Sequence, residues 1–217
     1  MLLVPVKTPW LVKKMFPDYI WNIKTTESVI YLTFDDGPTP EITEWVLQVL
    51  KDYDAKATFF CIGNNVEKHP DIFKSIIRHG HAVGNHTHHH LKGWKTKTNV
   101  YLEDVAKAEQ LLTHYSQDSE FRIQKIFRPP YGRIKTKQAK QLLALGYQII
   151  MWDVLSFDWD ETISQEKCLN HIKAHTDKGS IIVFHDSVKA SKNMMHLLPQ
   201  ILEHYKKLGY AFKPLLL

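Results

Sequence analysis

Histidines and aspartates are concentrated at a few places in this 217-residue sequence. Six of the thirteen histidines lie between positions 79 and 90, and within this tract His86 and His90 are four residues apart. Such a pair shares one face if the loop makes a helical turn. Two imidazoles and one carboxylate are a familiar ligand set for catalytic zinc, whose fourth position is left for water. We expect Asp36, which follows Asp35 at the end of a strand-like run, to be the carboxylate.

The residue types alone leave simpler interpretations open. The histidine tract is also compatible with a solvated loop, and Asp35 and Asp36 with an Asp-Gly-Pro turn that caps a helix. We expect His88 and His89 to be loop residues rather than ligands. Cys61 and Cys168 form no CxxC pair, and Cys61 lies in an apolar run typical of a buried thiol.

Short β-type runs alternate with helix-type runs along the chain. The predicted strands are 28–33, 57–61, 81–85, 126–127, 147–152, 180–184 and 210–213. The predicted helices are 41–53, 70–79, 100–115, 136–145, 164–175 and 195–208. Strict alternation indicates parallel strands with helices packed outside them. Seven strands favour a closed or nearly closed (β/α) barrel, with an open doubly wound sheet as the alternative.

Polar residues follow five of the seven predicted strands. In an α/β barrel the carboxyl ends of the strands open onto one face, where active sites are built. We therefore expect these side chains to meet on one rim, although Asp153 and Asp186 could be supporting or capping groups. The residues concerned are Asp35, Asp36, the tract from His86 to His90, Arg128, Asp153, Asp158, His185 and Asp186.

Composition and motif content exclude several classes of protein. Hydrophobic residues make up 44% and charged residues 24%, and the net charge is +5, all ordinary for a globular domain. Phosphate-binding glycine loops, a GxSxG elbow and an HExxH helix are missing from the sequence. We expect no nucleic-acid partner, since aromatic residues do not accompany dense basic patches. No apolar stretch approaches a membrane span, and no secretory signal is visible, so we expect a cytoplasmic or cell-envelope location.

The first 27 positions do not show the alternation of strand and helix patterns that the rest of the chain shows. We expect positions 1–27 to form an irregular strap and positions 28–217 to form the barrel domain. The strap is expected to pack five large side chains on the barrel: Trp10, Phe16, Tyr19, Ile20 and Trp21.

Five motifs together resemble the polysaccharide deacetylases, which are the NodB-homology domain of carbohydrate esterase family 4. They are Thr33-Phe34-Asp35-Asp36-Gly37, His86-Thr87-x-x-His90, Arg128-Pro129-Pro130-Tyr131, Asp158-Trp159 and Val183-Phe184-His185. The resemblance covers about Val29 to Pro214. It implies a distorted (β/α) barrel of about seven strands as the catalytic domain. It also implies one divalent metal ion, zinc before cobalt or nickel, and removal of N-acetyl groups from a glycan by metal-bound water.

The resemblance also implies a role for each motif residue. Asp36, His86 and His90 would be the metal ligands, and Asp35 the general base, held ionised by Arg128. His185 would be the general acid, oriented by Asp158. The backbone N–H of Tyr131 would meet the oxyanion, and the remaining expected substrate contacts are Trp159, Pro130 and Val183.

Two departures from the family pattern bear on the substrate. Leu155 stands where the family often has an acid, and Val183 stands where the family has leucine. Alternatives to the N-deacetylase are an O-acetyl (xylan-type) esterase, a deacylase of a lipid-linked or small cytosolic substrate, and a non-catalytic glycan-binding protein. Retention of both Asp35 and His185 argues against the last, because a binding protein does not need an acid and a base. The sequence does not predict an oligomeric state.

Overall fold

The computed structural model describes residues 5–117 and 124–216. Its strands are β1 (Tyr19–Ile20), β2 (Val29–Asp35), β3 (Ala57–Cys61), β4 (Ala82–Asn85), β5 (Ile126–Phe127), β6 (Gln148–Ile150), β7 (Val154–Leu155), β8 (Ile181–His185) and β9 (Ala211–Phe212). Its α-helices are α1 (Trp10–Met15), α2 (Ile42–Asp52), α3 (Gly63–Lys68), α4 (Pro70–Arg78), α5 (Thr98–Ser116), α6 (Thr136–Ala144), α7 (Gln165–His175) and α8 (Ser191–Lys207).

The strands form one sheet in the order β1-β6-β5-β4-β3-β2-β8-β7, and β9 pairs with the start of β2. Every strand pair is parallel. Ile20 pairs with Ile150 at one end of this order, while Asn22 bridges Ser180 beside β8 near the other. The sheet therefore curves back on itself, and the predicted distorted barrel of parallel strands is confirmed.

The central strands β2, β3 and β8 are buried on both faces, as expected for a parallel sheet covered by helices. On β2, Phe34 points into the layer between strands and helices, where it stacks on Phe59 and Phe184. Its neighbour Asp35 must point to the opposite face because side chains alternate along a strand. The register places Asp35 directly opposite His185 of β8, so two polar strand ends lie side by side.

The differences from the predicted elements are small. β2 continues two residues past the predicted end and takes in Asp35. The predicted strand 147–152 is shortened to β6 at residues 148–150, and Val154–Leu155, which lie beyond the predicted strand, form the separate strand β7. β1, β7 and α3 were not predicted. Each is too short to show a periodic pattern, and a two-residue strand exists only through its partner.

The N-terminal segment has more regular secondary structure than expected, because it contains α1 and β1. Trp21 is buried, but Trp10 is 70% exposed and Phe16 is 41% exposed. The expectation that all five large side chains pack on the barrel is therefore wrong for Trp10 and Phe16. None of the helices described is long and apolar enough to cross a membrane.

Candidate metal centre and active site

Asp36, His86 and His90 converge at the carboxyl ends of β2 and β4. The Nε2 atom of His90 lies 3.2 Å from Asp36 Oδ1, and that of His86 lies 3.7 Å from the same oxygen. One ligand atom from each residue lies within 4.8 Å of the other two. One cation placed between these atoms can be reached by all three ligands, which come from two loops far apart in the chain.

The histidine loop does not make the helical turn that the four-residue spacing suggested. Thr87 and His90 both have positive φ angles, 64° and 54°, and residues 86–90 are not helical. The Asn85 side chain accepts a hydrogen bond from the Thr87 backbone N–H. Asp104 of α5 accepts hydrogen bonds from the backbone N–H groups of His88 and His89. Side-chain anchors, rather than helix geometry, bring His86 and His90 to one side.

His88 and His89 point away from the metal-ligand cluster. The His88 side chain is buried, with Nε2 3.7 Å from Glu67, and His89 Nδ1 contacts Asp104. They line no part of the cavity beside the three candidate ligands.

The protonation states of the cluster suit a cation. His86 Nδ1 lies 2.7 Å from the backbone carbonyl of Arg128, which can only accept, so Nδ1 carries the proton and Nε2 is left as the ligand atom. Burial lowers the pKa of His86 to about 4, which keeps this imidazole neutral. Burial raises the pKa of Asp36, but the hydrogen bond from His90 and the nearby histidines outweigh it and lower that pKa well below its usual range. A neutral imidazole and an ionised carboxylate are the states that bind metal.

Asp35 is held by a buried arginine. The Arg128 side chain is fully buried, and its Nη1 donates to Asp35 Oδ1 at 2.7 Å. Three further guanidinium hydrogens go to Thr33 Oγ1 and to the carbonyls of Ile150 and Met151. Four of the five guanidinium N–H groups thus have an acceptor, and the charge of the guanidinium is matched by the carboxylate. This arrangement leaves the second oxygen of Asp35 free to accept a proton on the cavity side.

His185 and Asp158 form a second, separate pair. His185 Nδ1 lies 2.8 Å from Asp158 Oδ1, and the His185 backbone N–H donates to Asp158 Oδ2 at 2.7 Å. Burial by itself lowers the pKa of His185, but the charge and hydrogen bond of Asp158 outweigh it and raise that pKa to about 9. The imidazolium therefore persists at neutral pH, with Nε2–H available as a proton donor.

A cavity of about 470 Å³ connects the metal-ligand cluster, Asp35 and His185. Trp159 packs edge-on against His185, with ring centroids 4.9 Å apart, and Tyr131 lies against His90. Pro130 is buried in the turn before Tyr131 and does not line the cavity. The lining residues are Asp35, Asp36, His86, His90, Tyr131, Gly132, Trp152, Leu155, Trp159, Val183, His185, Ser187 and Lys189.

Asp186 and Asp153, which the sequence left as supporting or capping groups, have different surroundings. Asp186 is fully buried, accepts from the Gly37 N–H at 3.0 Å and from the Thr43 hydroxyl, and so fixes the turn that carries Asp36. A Cβ on Gly37 would lie 2.0 Å from Asp186 Oδ2, which explains glycine there. Burial raises the pKa of Asp186 to about 7. Asp153 instead contacts Lys13 of the N-terminal segment.

Sequence reasoning missed several residues of the site. Asp104 lies in the middle of a helix, where an acid is ordinarily solvent-facing, and nothing in its position along the chain links it to the histidine loop. Trp152, Ser187 and Lys189 reach the cavity only because of how β6, β8 and the following loops are arranged. Among these missed residues, only Asn85 has a sequence position that could have indicated a role in the site, because it directly precedes the histidine tract.

Several known proteins are similar to this chain in sequence and in fold. A family model described as polysaccharide deacetylase matches residues 22–150. A peptidoglycan-N-acetylglucosamine deacetylase of Bacillus cereus is 32% identical over 194 residues, 88% of each chain. A chitooligosaccharide deacetylase of Azorhizobium caulinodans is 34% identical over 165 residues, 76% of this chain and 77% of that protein. A crystal structure of a peptidoglycan N-acetylglucosamine deacetylase superposes with a TM-score of 0.85 and 31% identity, covering 96% of this chain and 95% of that one.

Proposed function

This chain belongs to the polysaccharide deacetylase family, and we propose that it hydrolyses the N-acetyl group of N-acetylglucosamine-type sugars in a glycan. The resemblance expected from five short motifs is confirmed at the level of the family. One observation carries the proposal for this chain. An arginine-held carboxylate and a carboxylate-held imidazolium flank a three-ligand cluster in a single cavity.

The amide bond needs both a base and an acid. Asp36, His86 and His90 would hold a divalent cation. When bound, this cation would act as a Lewis acid that makes water easier to deprotonate and polarises the acetyl carbonyl. Asp35 takes the proton of the attacking water while Arg128 keeps the carboxylate aimed into the cavity. The backbone N–H of Tyr131 is proposed to stabilise the oxyanion.

Collapse of the tetrahedral intermediate requires protonation of the amine, which is a poor leaving group as an anion. His185 is proposed to donate this proton from Nε2 to the sugar nitrogen, and Asp158 supports the charge beforehand. Acetate and the free amino sugar are the products. Asp35 thus acts as the base that accepts a proton and His185 as the acid that donates one, as general acid–base catalysis requires.

Two residues that line the cavity support a proposal about which glycan is the substrate. Leu155 removes an acid expected from the family pattern, and Lys189 lines the same cavity without an ion pair to any residue in ranges 5–117 and 124–216. A positive group beside the acetylated sugar favours a glycan that carries carboxylates. We therefore propose peptidoglycan ahead of chitin-type oligomers, and a cell-envelope location. Zinc is the metal proposed, ahead of cobalt or nickel.

Acetate release from peptidoglycan, chitooligosaccharide and acetylated xylan tests this function, with the metal-free protein and the zinc-loaded protein assayed in parallel. N-deacetylation with zinc supports the proposal, whereas activity on xylan alone would indicate the O-acetyl esterase. Glycan binding without acetate release from any substrate would indicate a binding protein.

A second measurement isolates the proton donor. His185→Ala should slow an amide substrate far more than an activated acetyl ester, because the leaving group of the ester departs without a proton. An equal loss on both substrates would show that His185 is not the acid.

A further inference from the structure

Helix α1 exposes several large apolar side chains, whereas an ordinary surface helix turns its apolar face to the core. Trp10 is 70% exposed, Leu11 60% and Met15 64%, and Phe16 at its end is 41% exposed. No residue of the helix is buried. We call Trp10, Leu11, Met15 and Phe16 the α1 apolar patch. Of the ten large hydrophobic side chains exposed in the described chain, four belong to this seven-residue segment.

Val12 and Lys13, rather than the four residues of the patch, face the body of the protein. Lys13 Nζ lies 2.5 Å from Oδ1 of Asp153, which is only 4% exposed, and also bonds to Asn22. The Trp21 indole N–H donates to the carbonyl of Phe16. The helix is thus fixed at both its middle and its end, and it holds the α1 apolar patch toward solvent.

The charge around the patch limits what can cover it. The first eighteen residues of the sequence contain three lysines and one acid, Asp18. Lys7 and Lys13 are paired with Asp177 and Asp153, which leaves Lys14 as the lysine beside the patch. Lys14 lies 5.1 Å above the ring of Trp10 and makes no ion pair with a residue that the structure describes. Two copies of the chain meeting through this patch would bring their Lys14 ammonium groups together, which is unfavourable.

The geometry points to an anionic lipid surface as the occupant of the α1 apolar patch. Tryptophan favours the boundary between headgroups and acyl chains, and leucine, methionine and phenylalanine can enter its apolar side. A lysine beside them gains energy from anionic headgroups. An apolar area on the order of a few hundred Å² is of the size that marks interaction sites on monomers. A segment of this size gives weak, reversible attachment rather than permanent anchoring.

The segment just before the patch, rather than the patch itself, contacts residues that line the catalytic cavity. The Leu155 backbone N–H donates to the Val6 carbonyl, and the Thr8 hydroxyl donates to the carbonyl of Trp152. Leu155 and Trp152 both line the cavity. Helix α1 is held by Asp153, which accepts from Ser180 at the amino end of β8, the end away from His185. Attachment through α1 would therefore hold the enzyme at the membrane while leaving the catalytic residues themselves untouched.

The test is sedimentation of the full chain with vesicles of phosphatidylcholine, with or without about one third phosphatidylglycerol. We expect binding to the anionic vesicles that weakens with salt. The triple variant Trp10→Ser, Leu11→Ser, Met15→Ser should lower the partition coefficient by about tenfold or more. The matched control Leu145→Ser, Leu208→Ser removes exposed apolar side chains elsewhere and should bind like wild type. All three proteins should release acetate from a soluble oligosaccharide at equal rates.

Acyl-chain brominated lipids give a second readout that does not depend on the triple variant. They should quench part of the tryptophan fluorescence, and Trp10→Phe should remove the quenched part, since the five other tryptophans lie outside the patch. Three results would overturn the inference. They are no binding by wild type, equal binding by the triple variant, or a wild-type dimer that the triple variant converts to a monomer.

Discussion

Replacement of Asp158 by asparagine should move the alkaline limb of the pH–rate profile to lower pH. The pKa of His185 is about 9 instead of the ordinary 6.5, a difference worth about 3 kcal/mol in favour of imidazolium. Burial of the ring lowers this pKa, and Asp158 is the chief group that raises it. Without its charge, we expect the pKa of His185 to return to 6.5 or below. A group with a raised pKa is protonated below that pKa and loses its proton above it, so the active range contracts from the alkaline side.

The measurement is kcat/KM for acetate release from about pH 5 to about pH 10, whose alkaline limb reports the acid of the free enzyme. A bound cation would lower the pKa of His185 in both proteins, so the predicted quantity is the displacement between them, about 2.5 pH units. Asp160→Asn is the control, because Asp160 lies in the same loop but bonds to Thr162 rather than to His185. Metal content should be equal in all three proteins. An alkaline limb that stays in place in Asp158→Asn would refute the assignment of His185 as the acid supported by Asp158.

Three further predictions concern the base, the metal and the substrate. Asp36→Ala should lose both metal affinity and activity, whereas Asp35→Asn should keep the metal and lose activity. Calorimetric titration measures the metal affinity and acetate release measures the activity. Equal loss of metal in both variants would contradict the division of roles. Gly37→Ala places a Cβ against Asp186 and should weaken metal binding by about 10–100-fold. Gly80→Ala, whose Cβ would have no neighbour closer than 3.7 Å, should leave metal binding unchanged. Lys189→Glu should raise KM for peptidoglycan by about tenfold and leave KM for chitooligosaccharide unchanged. Lys192→Glu is the control and should change neither KM. Equal effects of Lys189→Glu on both substrates would show that Lys189 does not select a charged glycan.

Much of the fold could be predicted because it follows from local patterns of apolar and polar residues in the sequence. The alternation of apolar strand runs with amphipathic helices ending at glycine indicates parallel strands, and parallel strands require their carboxyl ends to share a face. That single constraint brings Asp35, His86, Arg128 and His185 together without knowledge of any distance. The short strands β1 and β7 could not be predicted, since their two residues pair only with partners supplied by distant segments.

The sequence by itself determined which residues we propose to carry the chemistry, because residue type and order along the chain define the five motifs. Only the tertiary structure decided how those residues are held. The histidine loop reaches its shape through Asp104, which lies sixteen residues away from His88 on α5, and not through a helical turn. Lys189 reaches the cavity, and Lys13 rather than Trp10 faces the protein, for the same physical reason. Side-chain direction depends on packing between elements distant in sequence, and local propensity contains no information about those contacts.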